Sequence, residues 1–340
     1  VFDLKLGFII ELLISAPSMR SIYRECFMSP NAAKCTACKR RAAFFQRIYS
    51  GEKLCKQCFS ASIENKVRAT ITRYKMLNYN DTIAIAVSGG KDSISLLHVL
   101  AGMERKFPRA SLFTVTVDEG IRGYRDEALN IAVKTCQDLG IKNHVVSFKA
   151  LYGFTLDEMV LRMRERKSAL TPCAFCGVLR RKALNVGALA VGASKIATAH
   201  TLDDEVQTSL LNIFHGDVSR LASEKPVTDQ VHPLLVQKVK PFCEIPEKES
   251  ALYAYIKGLD FQSTPCPYAS EAMRNDIRLL LNQMEERHAG TKFTVFKSIE
   301  KLRPVLSSII EKSEFKECKQ CGSPSVGDLC MACQLLNQIL

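Results

Sequence analysis

Residues Ser88-Gly89-Gly90-Lys91-Asp92-Ser93 place two glycines, a lysine and two hydroxyls in one short string. Gly89 and Gly90 let the backbone turn tightly and bring its N–H groups against an oxyanion, and Lys91 adds a full positive charge. The apolar, β-branched run from Thr82 to Val87 reads as a strand buried on both faces. Ile94, Leu96, Leu97, Val99 and Leu100 read as the apolar positions of a helix, whose start supplies further unpaired donors and a positive dipole end. Strand, turn and helix together make a cradle for phosphate groups. Its glycine spacing is not that of Walker A. The plain alternative is a glycine turn capped by Asp92.

Ten of the fourteen cysteines pair as C-x-x-C. Cys35, Cys38, Cys55 and Cys58, with sixteen residues between the two pairs, have the spacing of a four-thiolate zinc site. Cys318, Cys321, Cys330 and Cys333 form a second such set around an eight-residue connection containing Gly322, Pro324 and Gly327. Closed four-ligand sites of this kind hold together modules too small to bury a core of their own. The remaining pair, Cys173-Ala-Phe-Cys176, has its best companion in Cys266 of Pro265-Cys266-Pro267-Tyr268. Three thiolates suit an iron–sulfur cluster with one iron left open. A redox or persulfide-carrying pair and an inert pair fit the spacing as well. Cys26, Cys136 and Cys243 lack partners and read as packing residues.

The 340 residues suffice for an α/β core with appendages. Net charge is +12, and residues 34–75 concentrate it, with eleven Lys or Arg against Glu52 and Glu64. That stretch coincides with the first cysteine module, which points to a polyanionic partner, nucleic acid first. Lys39, Arg40, Arg41 and Arg47 suit phosphate contacts, while Phe44 and Phe45 read as stacking positions or, better, as the module's own core. Chelating rather than disulfide-type cysteine spacing indicates a reducing compartment and a cytoplasmic protein. The stretch 4–14 is apolar but broken by Lys5, Gly7 and Glu11, too short to span a bilayer. Residues 1–33 are expected to be an extension without an assigned role, with Met19 or Met28 as internal starts.

The elements around these groups alternate. Buried strands are expected at 82–87, 112–117, 143–147 and 195–199, with helices at 126–139 and 179–190, the pattern of a parallel sheet covered on both faces. Ligands of such sheets bind at the carboxyl ends of the strands, where Ser88, Asp118 and His200 fall. The expected division is a zinc module at 34–60, a catalytic domain at 61–312 and a second zinc module at 313–340.

The phosphate string resembles the PP-loop of the N-type ATP pyrophosphatases. Val117-Asp118-Glu119-Gly120-Ile121-x-Gly123-Tyr124-Arg125, Cys173-x-x-Cys176-Gly177, His200-x-Leu202-Asp203-Asp204, Cys266-Pro267-Tyr268 and the two terminal modules extend that likeness. Their order resembles the TtuA-like branch of the TtcA/TtuA tRNA 2-thiolation family, which includes the archaeal and eukaryotic cytosolic wobble-uridine thiolases. The resemblance implies an α/β fold, a Rossmann-like (HUP-type) PP-loop ATP pyrophosphatase sheet flanked by N- and C-terminal zinc modules. It implies ATP on Ala86, Val87, Ser88, Gly89, Gly90, Lys91, Asp92 and Ser93, with adenine near Asp118 to Ile121 and His200 also at the site. Lys91 and one of Arg180, Arg181 or Lys182 would neutralise the phosphoryl charge. Asp92 would hold Mg2+ or simply cap the helix, and Asp203 or Asp204 would position a catalytic cation or the base unless both only serve the helix start.

The family further implies two Zn2+ and one 4Fe-4S cluster, the latter on Cys173, Cys176 and Cys266. Its reaction is tRNA uridine 2-sulfurtransfer, by adenylation of the C2 oxygen and displacement of AMP by sulfur, at the wobble uridine, with the T-loop uridine as the alternative. Sulfur would come from sulfide or a ubiquitin-like thiocarboxylate, and the enzyme would be a homodimer. PP-loop adenylation of tRNA for another nucleophile, such as an amine, is the enzymatic alternative.

Overall fold

The computed structural model describes residues 33–105, 109–168, 170–268, 273–309 and 314–339. The expectations for residues 1–32, Cys26 among them, lie outside these. In chain order the elements are β1 (Phe45–Gln46), β2 (Lys53–Leu54), α1 (Lys56–Arg73), β3 (Thr82–Ala86), α2 (Lys91–Glu104), β4 (Ser111–Asp118) and α3 (Arg125–Leu139). There follow β5 (Lys142–Ser147), α4 (Phe148–Tyr152), α5 (Leu156–Glu165), α6 (Pro172–Ala190), β6 (Lys195–Ala197), α7 (Leu202–Phe214), α8 (Val218–Ser223) and β7 (Gln237–Val239). The chain continues with α9 (Glu247–Lys257), α10 (Arg274–Arg287), α11 (Thr291–Ile309), β8 (Lys316–Glu317), β9 (Pro324–Ser325) and α12 (Met331–Ile339). No described helix is long and apolar enough to cross a membrane.

Five parallel strands form the central sheet in the order β5-β4-β3-β6-β7, with Ile83 beside Leu112 on one side and Lys195 on the other. The chain leaves β3 outward through β4 and β5, then returns across to β6. The carboxyl ends of β3 and β6 therefore flank the point where strand order reverses, the crevice in which open sheets bind ligands. The four expected strands are all present, shifted by a residue or two. β7 was not expected: Gln-Lys-Val is three residues long at a sheet edge and carries no apolar run. α6 begins seven residues earlier than its apolar pattern suggested, because Thr171 caps it through the Ala174 N–H and Pro172 occupies its first turn.

Strand alternation divides the core. Ile83 and Ile85 point to a layer built from Phe59, Ile63 and Val67 of α1, α2 and Tyr253 of α9. Ala84, Val115 and Val117 point to a layer built from α5, α6 and α12. The N-terminal cysteine module joins the first layer through Phe45 and Leu54, and the C-terminal module joins the second through Leu335, Leu336 and Ile339. Each module is thus clamped to a different face. α6 lies close on the sheet at Gly187, where a Cβ would stand 2.6 Å from Val115 Cγ1.

One expectation about the first module, the phosphate role of Arg47, is corrected. α1 runs unbroken through residue 60, so the first module passes into the catalytic domain along a continuous helix. Arg47 does not face a phosphate: its buried guanidinium ion-pairs with Glu249 of α9 at 2.8 Å and with Glu52 at 3.1 Å. Phe45 is core, edge-on to Phe59. Removing one partner of a buried ion pair leaves the other charge uncompensated. Glu249→Gln should therefore lower stability by about 3–5 kcal/mol, read from the denaturant midpoint at unchanged slope. A loss below about 1 kcal/mol, the worth of an exposed pair, would show that this contact does not fasten the module.

Candidate nucleotide and cluster site

The string that follows β3 forms a tight, backbone-lined turn. Gly89 has φ +86°, and a Cβ there would stand 2.4 Å from the Ala128 carbonyl oxygen of α3, so glycine is required on both counts. The Ser93 hydroxyl donates to the Gly90 carbonyl at 2.9 Å and accepts from the Ser88 N–H at 3.1 Å, closing the loop on itself. From outside, Arg125 Nη1 donates to the Ser88 carbonyl at 2.8 Å and the Gln262 N–H to the Gly89 carbonyl at 2.9 Å. The carbonyls are thereby tied back. α2 starts at Gly90 with no side-chain cap, which corrects the reading of Asp92 as the cap.

Lys91 is already paired, with Asp92 at 2.8 Å and Glu247 at 2.7 Å. Burial opposes its charge, but Asp92 and Glu247 outweigh that and raise its pKa. Burial lifts Asp92 to about 6 against the attraction of Lys91. Asp92 Oδ1 is buried without a hydrogen-bond partner, an oxygen suited to a hard cation. Behind Glu247, its N–H donates to Asp203 Oδ2 at 2.7 Å, and the other Asp203 oxygen pairs with Lys292. Asp204 completes a capping box with Thr201 at the start of α7. Asp203 and Asp204 thus both serve helix ends, the simpler of the two roles expected of them.

Asp118 accepts from the Gly120 N–H at 2.9 Å, and Ile121 is buried in the second core layer. Glu119 between them is buried and forms an ion pair with Arg125 at 2.9 Å and with Arg180 at 3.7 Å. Arg180 is 53% exposed. His200 is exposed as well, its Nδ1 2.8 Å from the Thr198 hydroxyl. Desolvation and then Lys240 hold it down to about 4, so it is neutral at physiological pH. Lys182 is not at the phosphate turn. It lies against the C-terminal module, its Nζ 3.0 Å from Cys321 Sγ and 3.6 Å from Cys330 Sγ, which corrects its expected phosphate role.

Cys173 and Cys176 occupy the first turn of α6, and Cys266 faces them from the segment that leaves the Gly89–Gln262 contact. Cys173 Sγ donates to the Tyr268 carbonyl at 3.0 Å, and Tyr268 is held in turn by its hydroxyl on Asp157 at 2.7 Å. Burial pushes the Cys176 thiol to about 12; Arg180 opposes this, and the charges of Cys266 and Cys173 add to it. The trio therefore converges. It is more open than the two four-cysteine groups, in each of which all sulfurs lie within 4.8 Å of one another. Those groups suit one tetrahedral ion each, whereas a cubane spaces its thiolates more widely. Backbone N–H groups already point at the tighter sets, from Cys58 to Cys55 Sγ at 3.5 Å and from Cys330 to Cys318 Sγ at 3.2 Å.

The PP-loop domain profile matches residues 59–285. The tRNA 2-thiolation protein NcsA of Haloferax volcanii is 36% identical over 321 residues, covering 90% of this chain and 99% of its own. The cytoplasmic tRNA 2-thiolation protein 1 of Chlamydomonas reinhardtii is 38% identical, over 89% of this chain and 84% of that one. This chain belongs to the PP-loop tRNA 2-thiolation family. The solved U34-tRNA thiolase NcsA of Methanococcus maripaludis, described with its [4Fe-4S] cluster, superposes at a TM-score of 0.76 with 34% identity, over 90% of this chain and 96% of that chain.

Within this family member, Arg125, Glu119, Glu247 and Gln262 are the site residues that sequence reading missed. Glu119 and Arg125 stand in the very motif that carried the resemblance, and their charges after a strand end were the available signal. Glu247 and Gln262 reach the turn only through the fold. Gly89→Ala should misplace the turn and cut ATP-dependent turnover about a hundredfold, with helical content unchanged by circular dichroism. Near-normal turnover in that variant would contradict the tight approach to Ala128.

Proposed function

We propose that this protein is an ATP-dependent tRNA uridine 2-sulfurtransferase acting at the wobble position. One observation carries the reading: a single run of contacts, Ser88 to Arg125 to Glu119 to Arg180, ties the phosphate turn to the helix that bears Cys173 and Cys176. Activation and sulfur delivery then share one cleft. The naming of a relative as a U34-tRNA thiolase supports the choice of uridine, and the naming of others as cytoplasmic supports the compartment.

In this mechanism the N–H groups of the turn and Lys91 hold the phosphates of ATP, and Arg180 faces the α-phosphate. The uridine C2 oxygen attacks the α-phosphorus and the bond to pyrophosphate breaks. Sulfide then adds at C2 and the C–O bond to AMP breaks, so uridine, ATP and sulfide give 2-thiouridine, AMP and pyrophosphate. Charge neutralisation is the main requirement of the first step, and the cations at the cleft supply it. Asp92, with its unpartnered oxygen, would hold Mg2+ beside the phosphates. Neutral His200 leaves the cleft's positive charge to Arg180 and Lys91.

Cys173, Cys176 and Cys266 would hold a 4Fe-4S cluster whose open iron supplies a binding place for sulfide. The four-cysteine groups would hold structural Zn2+. Changing any one of the trio to Ala should abolish 2-thiouridine formation and the visible absorbance of an anaerobically reconstituted cluster, while zinc content stays at the unaltered level. Full thiolation in all three variants would sink the reading.

A further inference from the structure

The two four-cysteine groups differ in where their neighbouring cation comes from. In the N-terminal group Arg41, inside the module's own loop, points Nη1 at Cys55 Sγ from 3.9 Å. In the C-terminal group the module's own Lys319 is taken up by Asp328 at 2.7 Å. The ammonium that reaches the thiolates is Lys182, from α6 of the catalytic domain, 3.0 Å from Cys321 Sγ and 3.6 Å from Cys330 Sγ. Those two sulfurs are themselves 3.7 Å apart, so one ammonium bridges both.

Four thiolates around a divalent ion leave an excess of two negative charges, and groups that hydrogen-bond such sulfurs orient and stabilise the ligand set. Lys182 is placed to do this from outside the module. α6 also carries Cys173 and Cys176 in its first turn, and Lys182 lies six positions after Cys176, about 9 Å along a helix. The same helix thus touches the C-terminal four-cysteine group and carries two of the three cysteines of the trio. α12, which contributes Cys333, packs its Leu335 and Leu336 into the layer that holds Leu179 and Ala183 of α6.

We propose that Lys182 is the outer-sphere cation of the C-terminal four-cysteine centre, and that this contact makes metal loading of that centre a condition for seating Cys173 and Cys176. Lys182 is a positioning residue. The inference rests on the metal reading of both sites given above.

The test uses the full-length protein and its Lys182→Met and Lys182→Arg variants. Chelator-driven release of bound metal should show one of the two four-cysteine centres letting go about 10–100-fold faster in Lys182→Met, with the other centre unchanged as a control for folding. Lys182→Arg should restore slow release. With cobalt in place of zinc, loss of the hydrogen bond raises the energy of the sulfur lone pairs. The sulfur-to-cobalt charge-transfer band of Lys182→Met should therefore move to longer wavelength, which a merely structural role would not produce. Reconstituted cluster absorbance should also fall in Lys182→Met once the faster centre is emptied. Unchanged release and an unshifted band overturn the proposal alone. Absence of metal from the C-terminal centre of the unaltered protein, shown by equal metal content in a Cys318→Ser variant, overturns the metal reading and the proposal together.

Discussion

The buried carboxylate of Glu119 is the contact on which the site's arrangement depends. It sits at the end of β4, pairs with Arg125 at the start of α3 and reaches Arg180 on α6. Through Arg125 it fixes the Ser88 carbonyl, and so the direction in which the N–H groups of the turn point. Through Arg180 it fixes the helix of Cys173 and Cys176 relative to that turn. A carboxylate this deeply buried is tolerable only when paired, so the two arginines and the acid hold one another in place. One interaction thus ties the glycine turn to the helix that carries Cys173 and Cys176.

A second line of charge runs behind the turn, from Asp92 through Lys91, Glu247 and Asp203 to Lys292. Alternating signs let four helices meet behind the glycine turn with their termini satisfied. Lys91 is thereby held in one orientation by its own neighbours, the preorganisation that its proposed role toward phosphate requires. The two cysteine modules stand outside this network, packed on opposite faces of the sheet.

Much of this was legible in the chain itself. Local signals were sufficient for β3, the glycine turn and both four-cysteine groups, since strand, turn and chelate are set by residues close in sequence. The fifth strand was invisible because Gln237-Lys238-Val239 carries no apolar run and borrows its order from β6. Glu247 could not be paired with Lys91 across 156 residues of chain without knowing that α9 packs against α2. Lys182 read as a phosphate ligand because it follows Arg180 and Arg181, yet one position along a helix turns a side chain by about 100° onto another face. Arg47 read as a surface cation for the same reason: charge is visible in sequence, and burial is not.

The central claim is that the uridine C2 oxygen is activated on the α-phosphate of ATP and then replaced by sulfur in the same cleft. A tRNA carrying heavy oxygen at C2 of the target uridine tests it in a single turnover with ATP and sulfide. The account predicts that the label is recovered in AMP, in amount equal to the 2-thiouridine formed. Label recovered in water or in pyrophosphate, with AMP unlabelled, would contradict it.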